Sequence, residues 1–136
     1  LLSRRQRQMC IRDRLQYEPL SVPVTMRVVY PWVKRVLLAL LGNAAKFTES
    51  GVIRLRYDED KQKRVVRFIV EDSGPGIDVE YKNSIFERFV KIDTFSPGTG
   101  LGLAVARQIM DIVDGQIFLD TTYTDGARFV VEWPVG

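Results

Sequence analysis

Apolar residues recur along this chain with changing periods, and each change marks an element. Between residues 17 and 30, Val22, Val24, Met26 and Val28 stand at period two, with Pro19 and Pro23 near the start, which predicts an edge-type strand or extended arm. Pro31 suits the opening turn of a helix, because its fixed φ is already helical and its missing N–H is not needed there. From it Val33, Val36, Leu37, Leu40, Leu41 and Ala44 repeat at three and four residues, the signature of an amphipathic helix burying one face. After Gly51, Ile53, Leu55 and Tyr57 alternate with Arg54 and Arg56 in a half-exposed strand, and residues 58–63 read as a polar hairpin turn. Residues 65–71 are almost continuously apolar apart from Arg67 and the closing Glu71, which predicts a more central strand.

A short helix is predicted from Asp78 to about Phe86, and residues 92–100, with Pro97, Gly98 and Gly100, read as a flexible loop. Residues 101–114 form a further predicted helix, with Val105, Ile109, Ile112 and Val113 on one face and Gly115 as its stop. Residues 116–121 and 127–133 read as two strands joined near Asp125-Gly126, a hairpin turn pair. The order β-α-β-β-α-α-β-β mixes hairpins with helices. It predicts an α+β two-layer sandwich: a mixed sheet of about five strands covered on one face by about three helices.

Length and composition narrow the functional classes. A chain of 136 residues builds one core, and its 46% hydrophobic and 27% charged residues are those of a globular domain. No apolar run approaches the roughly 20 residues that cross a bilayer, and no leader-like apolar segment opens the chain, so an intracellular setting is expected. A single cysteine, Cys10, excludes an internal disulfide framework, and with no histidine most transition-metal chemistry is excluded too. A hard cation held through oxygens stays open. The net charge of +3 is unevenly placed: residues 1–14 carry five arginines against one acid, so the remaining 122 residues carry −1. Without a charge bias in the body, nucleic acid is not expected as a partner. Residues 1–14 resemble translated sequencing-adaptor read-through, against the alternative of a basic helix or tail, and are set apart from the domain expected over 15–136. On that reading the chain is a fragment whose preceding domain is missing.

Three clusters carry chemistry. In the first, Asn43 offers a carboxamide oxygen suited to Mg²⁺, and Lys46 lies three residues on, on the same helical face, where it can neutralise phosphate. A solvated helix end is the plainer alternative. In the second, Asp72-Ser73-Gly74-Pro75-Gly76-Ile77 follows the buried strand; the carboxylate can accept from an exocyclic amine such as that of adenine, and the glycines allow close backbone approach. An ordinary tight turn is its alternative. In the third, Gly98-Thr99-Gly100-Leu101-Gly102-Leu103 runs into a helix whose free N–H groups and dipole attract anions. Its spacing is neither a Rossmann fingerprint nor a Walker A loop, and a glycine-rich hinge is the alternative.

Taken in order, Asn43 to Thr48, Asp72 to Gly76, Ile85-Phe86-Glu87-Arg88-Phe89 and Gly98 to Leu103 resemble the N, G1, F and G2 boxes of sensor histidine kinases. The resemblance runs from about Tyr17 to Pro134, and these kinases share the Bergerat ATP-binding fold with DNA gyrase, MutL-type proteins and heat-shock chaperones. It implies that Asn43 coordinates the Mg²⁺ of bound ATP, that Lys46 contacts phosphate and that Phe47 packs on adenine. Asp72 would read the adenine amine, with Gly74, Gly76 and Ile77 as its wall, and Phe86 and Phe89 would anchor a lid. Gly98, Thr99, Gly100, Leu101 and Gly102 would close over the triphosphate. Lys91 falls where many members place a phosphate-binding arginine, keeping the charge without the bidentate fork.

The resemblance also implies partners. The γ-phosphoryl would pass to a histidine on a separate dimerisation domain, then to a response regulator, the whole protein being a membrane-anchored homodimer with this domain in the cytoplasm. One departure bears on transfer: Ala39 stands where an asparagine usually precedes the Mg²⁺ ligand by one turn, and where gyrase-type relatives carry a water-activating glutamate. A nucleotide-dependent binding module without transfer is therefore the alternative; a serine-directed kinase of the same fold would need a carboxylate at that position.

Overall fold

The computed structural model describes residues 15–18, 26, 28–48, 50–87 and 102–135. Five strands form one sheet in the order β1-β2-β3-β5-β4. They are β1 (Leu15–Glu18), β2 (Ile53–Asp60), β3 (Val65–Asp72), β4 (Gln116–Leu119) and β5 (Arg128–Pro134). β1 runs parallel to β2 and every other pairing is antiparallel, so the sheet is mixed. The near-continuous apolar run places β3 in the middle, as expected.

Helices α1 (Tyr30–Phe47) and α2 (Gly102–Ile112) cover one face. Pro31 lies in the first turn of α1, and Val29 precedes the helix without a capping side chain. The apolar stripe of α1 buries Val36, Leu40 and Ala44 against Ala106, Ile109 and Met110 of α2 and against Val70, Phe129 and Val131 of the sheet. Full burial of each large side chain contributes about 1.5–3 kcal/mol. α2 stops as expected: Asp114 takes φ 59°, and the Gly115 N–H donates back to the Met110 carbonyl at 2.8 Å.

Three elements differ from their sequence reading. β2 continues to Asp60, because Asp58 and Asp60 both meet Arg67 of β3, at 3.2 and 3.1 Å; acids that read as a turn are strand residues with a cross-strand partner. The reversal then falls at residues 61–64 and needs φ 56° at Arg64. The short helix expected over 78–86 is two 3₁₀ turns, Val79–Tyr81 and Ser84–Phe86: the first buries no side chain, and only Ile85 and Phe86 of the second reach the core. The connection between β4 and β5 spans residues 120–127 rather than a two-residue turn. The Asp120 carboxylate staples it by accepting from the Thr122 N–H at 3.0 Å and the Thr122 hydroxyl at 2.6 Å.

The two faces of the sheet are unlike. The inner face carries the core, while Arg54, Glu71 and Arg128 form one cross-strand row on the outer face and Asp58, Arg67 and Glu132 form another, with Ile69 and Val130 between them. The rows are joined internally by ion pairs, among them Arg128–Glu71 at 2.7 Å and Arg67–Glu132 at 3.1 Å.

Candidate functional site

Asp72 is the last residue of β3 and points to the inner side, where it is 4% exposed. Its Oδ1 accepts the Gly74 N–H at 2.9 Å and the Ala127 N–H at 3.2 Å, while its backbone N–H donates to the Ala127 carbonyl at 2.9 Å. Burial pushes the Asp72 carboxyl above its ordinary pKa, and the two N–H bonds oppose that shift in part. Among the described residues no basic side chain pairs with it, and Oδ2 accepts no hydrogen bond.

Glycines set how closely the surrounding backbone approaches. A Cβ on Gly126, which sits at φ 156°, would overlap the Asp72 carbonyl oxygen. A Cβ on Gly74 would lie 3.0 Å from the Phe47 carbonyl oxygen and 3.1 Å from the Thr48 hydroxyl, so this loop is pressed onto the end of α1. Ser73 ties the same loop to the start of β2: its hydroxyl accepts the Val52 N–H at 2.8 Å, and its own N–H donates to the Val52 carbonyl at 3.0 Å.

α1 supplies the facing wall. Ala39, Asn43 and Lys46 fall on one helical face at spacings of four and three. The Lys46 ammonium lies 5.5 Å from the centre of the Phe47 ring. Gly102, the first residue of α2, lies against Ala39: a Cβ there would be 3.8 Å from the Ala39 methyl. The N-terminus of α2 thus abuts α1 one turn before Asn43, and the Asp72 loop abuts its far end. Phe86, 6% exposed, seats the second 3₁₀ turn edge-on against Phe129 at 6.0 Å, with the Arg107 guanidinium 5.2 Å from its ring.

The structure sets Asp72 and Gly74 against the Phe47–Thr48 end of α1 and the Gly102 end of α2 against Ala39, with Asn43 and Lys46 on the helix between; Gly76 packs instead on Gly126. Phe89, Lys91, Gly98, Thr99, Gly100 and Leu101 lie outside the described residues. Sequence reasoning gave no site role to Tyr123, Gly126 or Ala127; the Asp125-Gly126 pair and the family resemblance running to Pro134 were the signals that covered them. A separate cleft of about 390 Å³ opens between residues 75–79 and 119–126. Its lining includes Gly76 and Ile77 but no residue of α1, so it adjoins the Asp72–Asn43 face without being part of it.

A family model described as histidine kinase-, DNA gyrase B-, and HSP90-like ATPase matches residues 29–136. The chain belongs to this family. Within it, the relatives and structural neighbours are of the histidine-kinase type. The chain is 34% identical over 139 residues to the sensor histidine kinase AruS of Pseudomonas aeruginosa, covering 97% of this chain and 14% of that protein. It is 36% identical over 127 residues to the adaptive-response sensory kinase SasA of Thermosynechococcus vestitus, covering 88% of this chain and 33% of that protein. The chain thus spans a third or less of the length of these relatives. The catalytic domain of histidine kinase ThkA, solved nucleotide-free, superimposes with a TM-score of 0.80 at 30% identity, covering 94% of this chain and 84% of that one. Full-length ShkA, solved in complex with AMPPNP, gives a TM-score of 0.80 at 28% identity over 94% of this chain and 29% of that one. Among the described residues, no helix is long and apolar enough to cross a membrane.

Proposed function

We propose that this domain binds ATP with Mg²⁺ between α1 and the Asp72 loop, and donates the γ-phosphoryl group to a histidine on a separate dimerisation domain. The observation that carries this reading is Asp72: a carboxylate buried without a counter-ion among the described residues, one oxygen fixed by two backbone N–H groups and the other left for an amine. The surrounding residues fit a nucleotide and its metal. Asn43 offers the hard oxygen that Mg²⁺ takes, Lys46 a phosphate-directed charge, and the Gly102 end of α2 free N–H groups. Glycine at positions 74 and 126 removes the Cβ atoms that would fill the wall.

Bound ATP and Mg²⁺ supply the phosphoryl group and the neutralisation of its charge; the protein's share is to position and to exclude water. Asp72 orients the base, Phe47 flanks it, and Asn43 and Lys46 hold the polyphosphate end, with Gly76, Ile77, Lys91, Gly98, Thr99, Gly100 and Leu101 completing the enclosure. The sequence contains no histidine, so the acceptor lies in another segment or chain. By the same reading the product passes to a response regulator, and the full-length protein is a membrane-associated homodimer with this domain in the cytoplasm.

Titration of the chain with a fluorescent ATP analogue, with and without Mg²⁺, tests the proposal. Binding is expected to lose its Mg²⁺ dependence in Asn43→Ala; absence of any binding overturns the reading. Ala39 favours one alternative, a nucleotide-dependent module that does not transfer. Its methyl group faces the start of α2 and can neither ligate a metal nor act as a base. Phosphorylation of a histidine-bearing hairpin domain in trans by the unaltered chain excludes that alternative. Transfer that needs Ala39→Asn supports it.

A further inference from the structure

The orientation of the Asp72 carboxylate depends on a contact that its own loop does not control. One of its two N–H donors, Gly74, travels with it. The other, Ala127, belongs to the entry of β5, 55 residues away in sequence. Whatever fixes that entry fixes the direction in which Asp72 presents its free oxygen.

Arg128, the next residue, is tied on three sides. Its Nε donates to the Glu71 carboxylate at 2.7 Å and an Nη donates to Asp120 at 3.3 Å. The carbon of its guanidinium lies over the Tyr123 ring, 4.3 Å from its centre. The Tyr123 hydroxyl in turn donates to the backbone carbonyl of Asp72 at 3.4 Å. Burial, together with the acids Glu71 and Asp125, pushes the pKa of that phenol up, which keeps it protonated and a donor. The Asp120 N–H closes the circuit on the Arg128 carbonyl at 2.8 Å. One planar cation thus links the outer ion pairs, the 120–127 connection and the residue that faces the ligand.

We propose that Arg128 and Tyr123 are positioning residues for base recognition, holding the β5 entry so that Asp72 presents its free oxygen to the exocyclic amine of the purine. The proposal rests on the reading of Asp72 given above. Removing Arg128 does not strand Glu71, which keeps Arg54 at 3.3 Å and Arg56 at 3.6 Å, so the role is separable from the fold.

The test compares ATP with purine riboside triphosphate, which lacks the 6-amino group, by competition against a fluorescent nucleotide on the full chain. Thermal unfolding is followed alongside. Tyr123→Phe and Arg128→Ala are expected to weaken ATP by about 3-fold to 10-fold, the size of one or two ordinary hydrogen bonds, and to leave the analogue nearly unchanged. Arg128→Lys keeps the charge opposite Glu71 but not the guanidinium over the Tyr123 ring. It should restore thermal stability without restoring ATP affinity. Equal weakening of both nucleotides, or unchanged ATP affinity in Tyr123→Phe, overturns the proposal; should Arg128→Ala fail to fold, Tyr123→Phe and Arg128→Lys decide it. Asp72→Asn separates the layers. If that variant still prefers ATP to the analogue as the unaltered chain does, the reading of Asp72 falls and the positioning role with it. If only Asp72→Asn loses the preference, the positioning role alone falls.

Discussion

Glu71 and Asp72 are consecutive carboxylates at the end of β3, exposed by only 5% and 4%, and the pleat sends them to opposite faces of the sheet. On the outer face Glu71 meets three guanidinium groups, those of Arg54, Arg56 and Arg128. On the inner face Asp72 meets two backbone N–H groups and no cation among the described residues. Equal burial therefore has two meanings. An acid surrounded by its counter-charges belongs to the fold, and nothing remains for a ligand to satisfy. An acid buried with one oxygen unclaimed carries a desolvation penalty that a hydrogen-bonding partner can relieve.

Glu71→Ala leaves three arginines facing one another across the strands. The variant should lose about 2–3 kcal/mol, the lower end for a broken buried pair because these arginines are partly solvated. Urea unfolding reads this directly. Asp72→Asn should do the reverse: its midpoint stays within a few tenths molar of the unaltered chain, while ATP binds about 10- to 100-fold more weakly for the loss of a charged acceptor. Comparable unfolding losses in both variants would erase the distinction.

Proton linkage at Asp72 gives a smaller effect. The folded-state pKa of Asp72 is raised, so the folded chain binds that proton more tightly than the unfolded chain does. The penalty is therefore fully present above the folded pKa and is relieved as pH falls through it towards the ordinary value of 3.8. Relative to Asp72→Asn, the unaltered chain should gain stability over this acid window while its ATP affinity declines. Denaturant titrations at pH 7 and just above pH 4, with nucleotide titrations at the same points, check both signs.

What the sequence made legible was what is local. The helical repeat of α1, the central character of β3 and the glycine-rich Asp72 loop each sit within a few residues, and their spacing carried the family resemblance. Missed features depend on partners distant in sequence. Asp58 and Asp60 looked like turn residues until Arg67 of the neighbouring strand was placed beside them. Gly126 looked like half of a hairpin turn, yet its missing side chain is required by the Asp72 carbonyl on another strand. Tyr123 had no pattern at all, because its significance lies in the guanidinium that lies over it and the carbonyl it reaches.

The alternation of charge on the outer face also bears on how the chain finds its pairing. β3 and β5 match Glu71 with Arg128 and Arg67 with Glu132, with Ile69 against Val130 between them. A slip of two residues is the smallest that keeps every side chain on its own face. In one direction it would set Glu71 against Val130, and in the other Arg67 against Val130, stranding a charge either way. A slip of four would set like charges against each other. The outer rows thus act as a proofreading code for strand alignment, and Asp72 meets the Ala127 amide only when that code is read correctly.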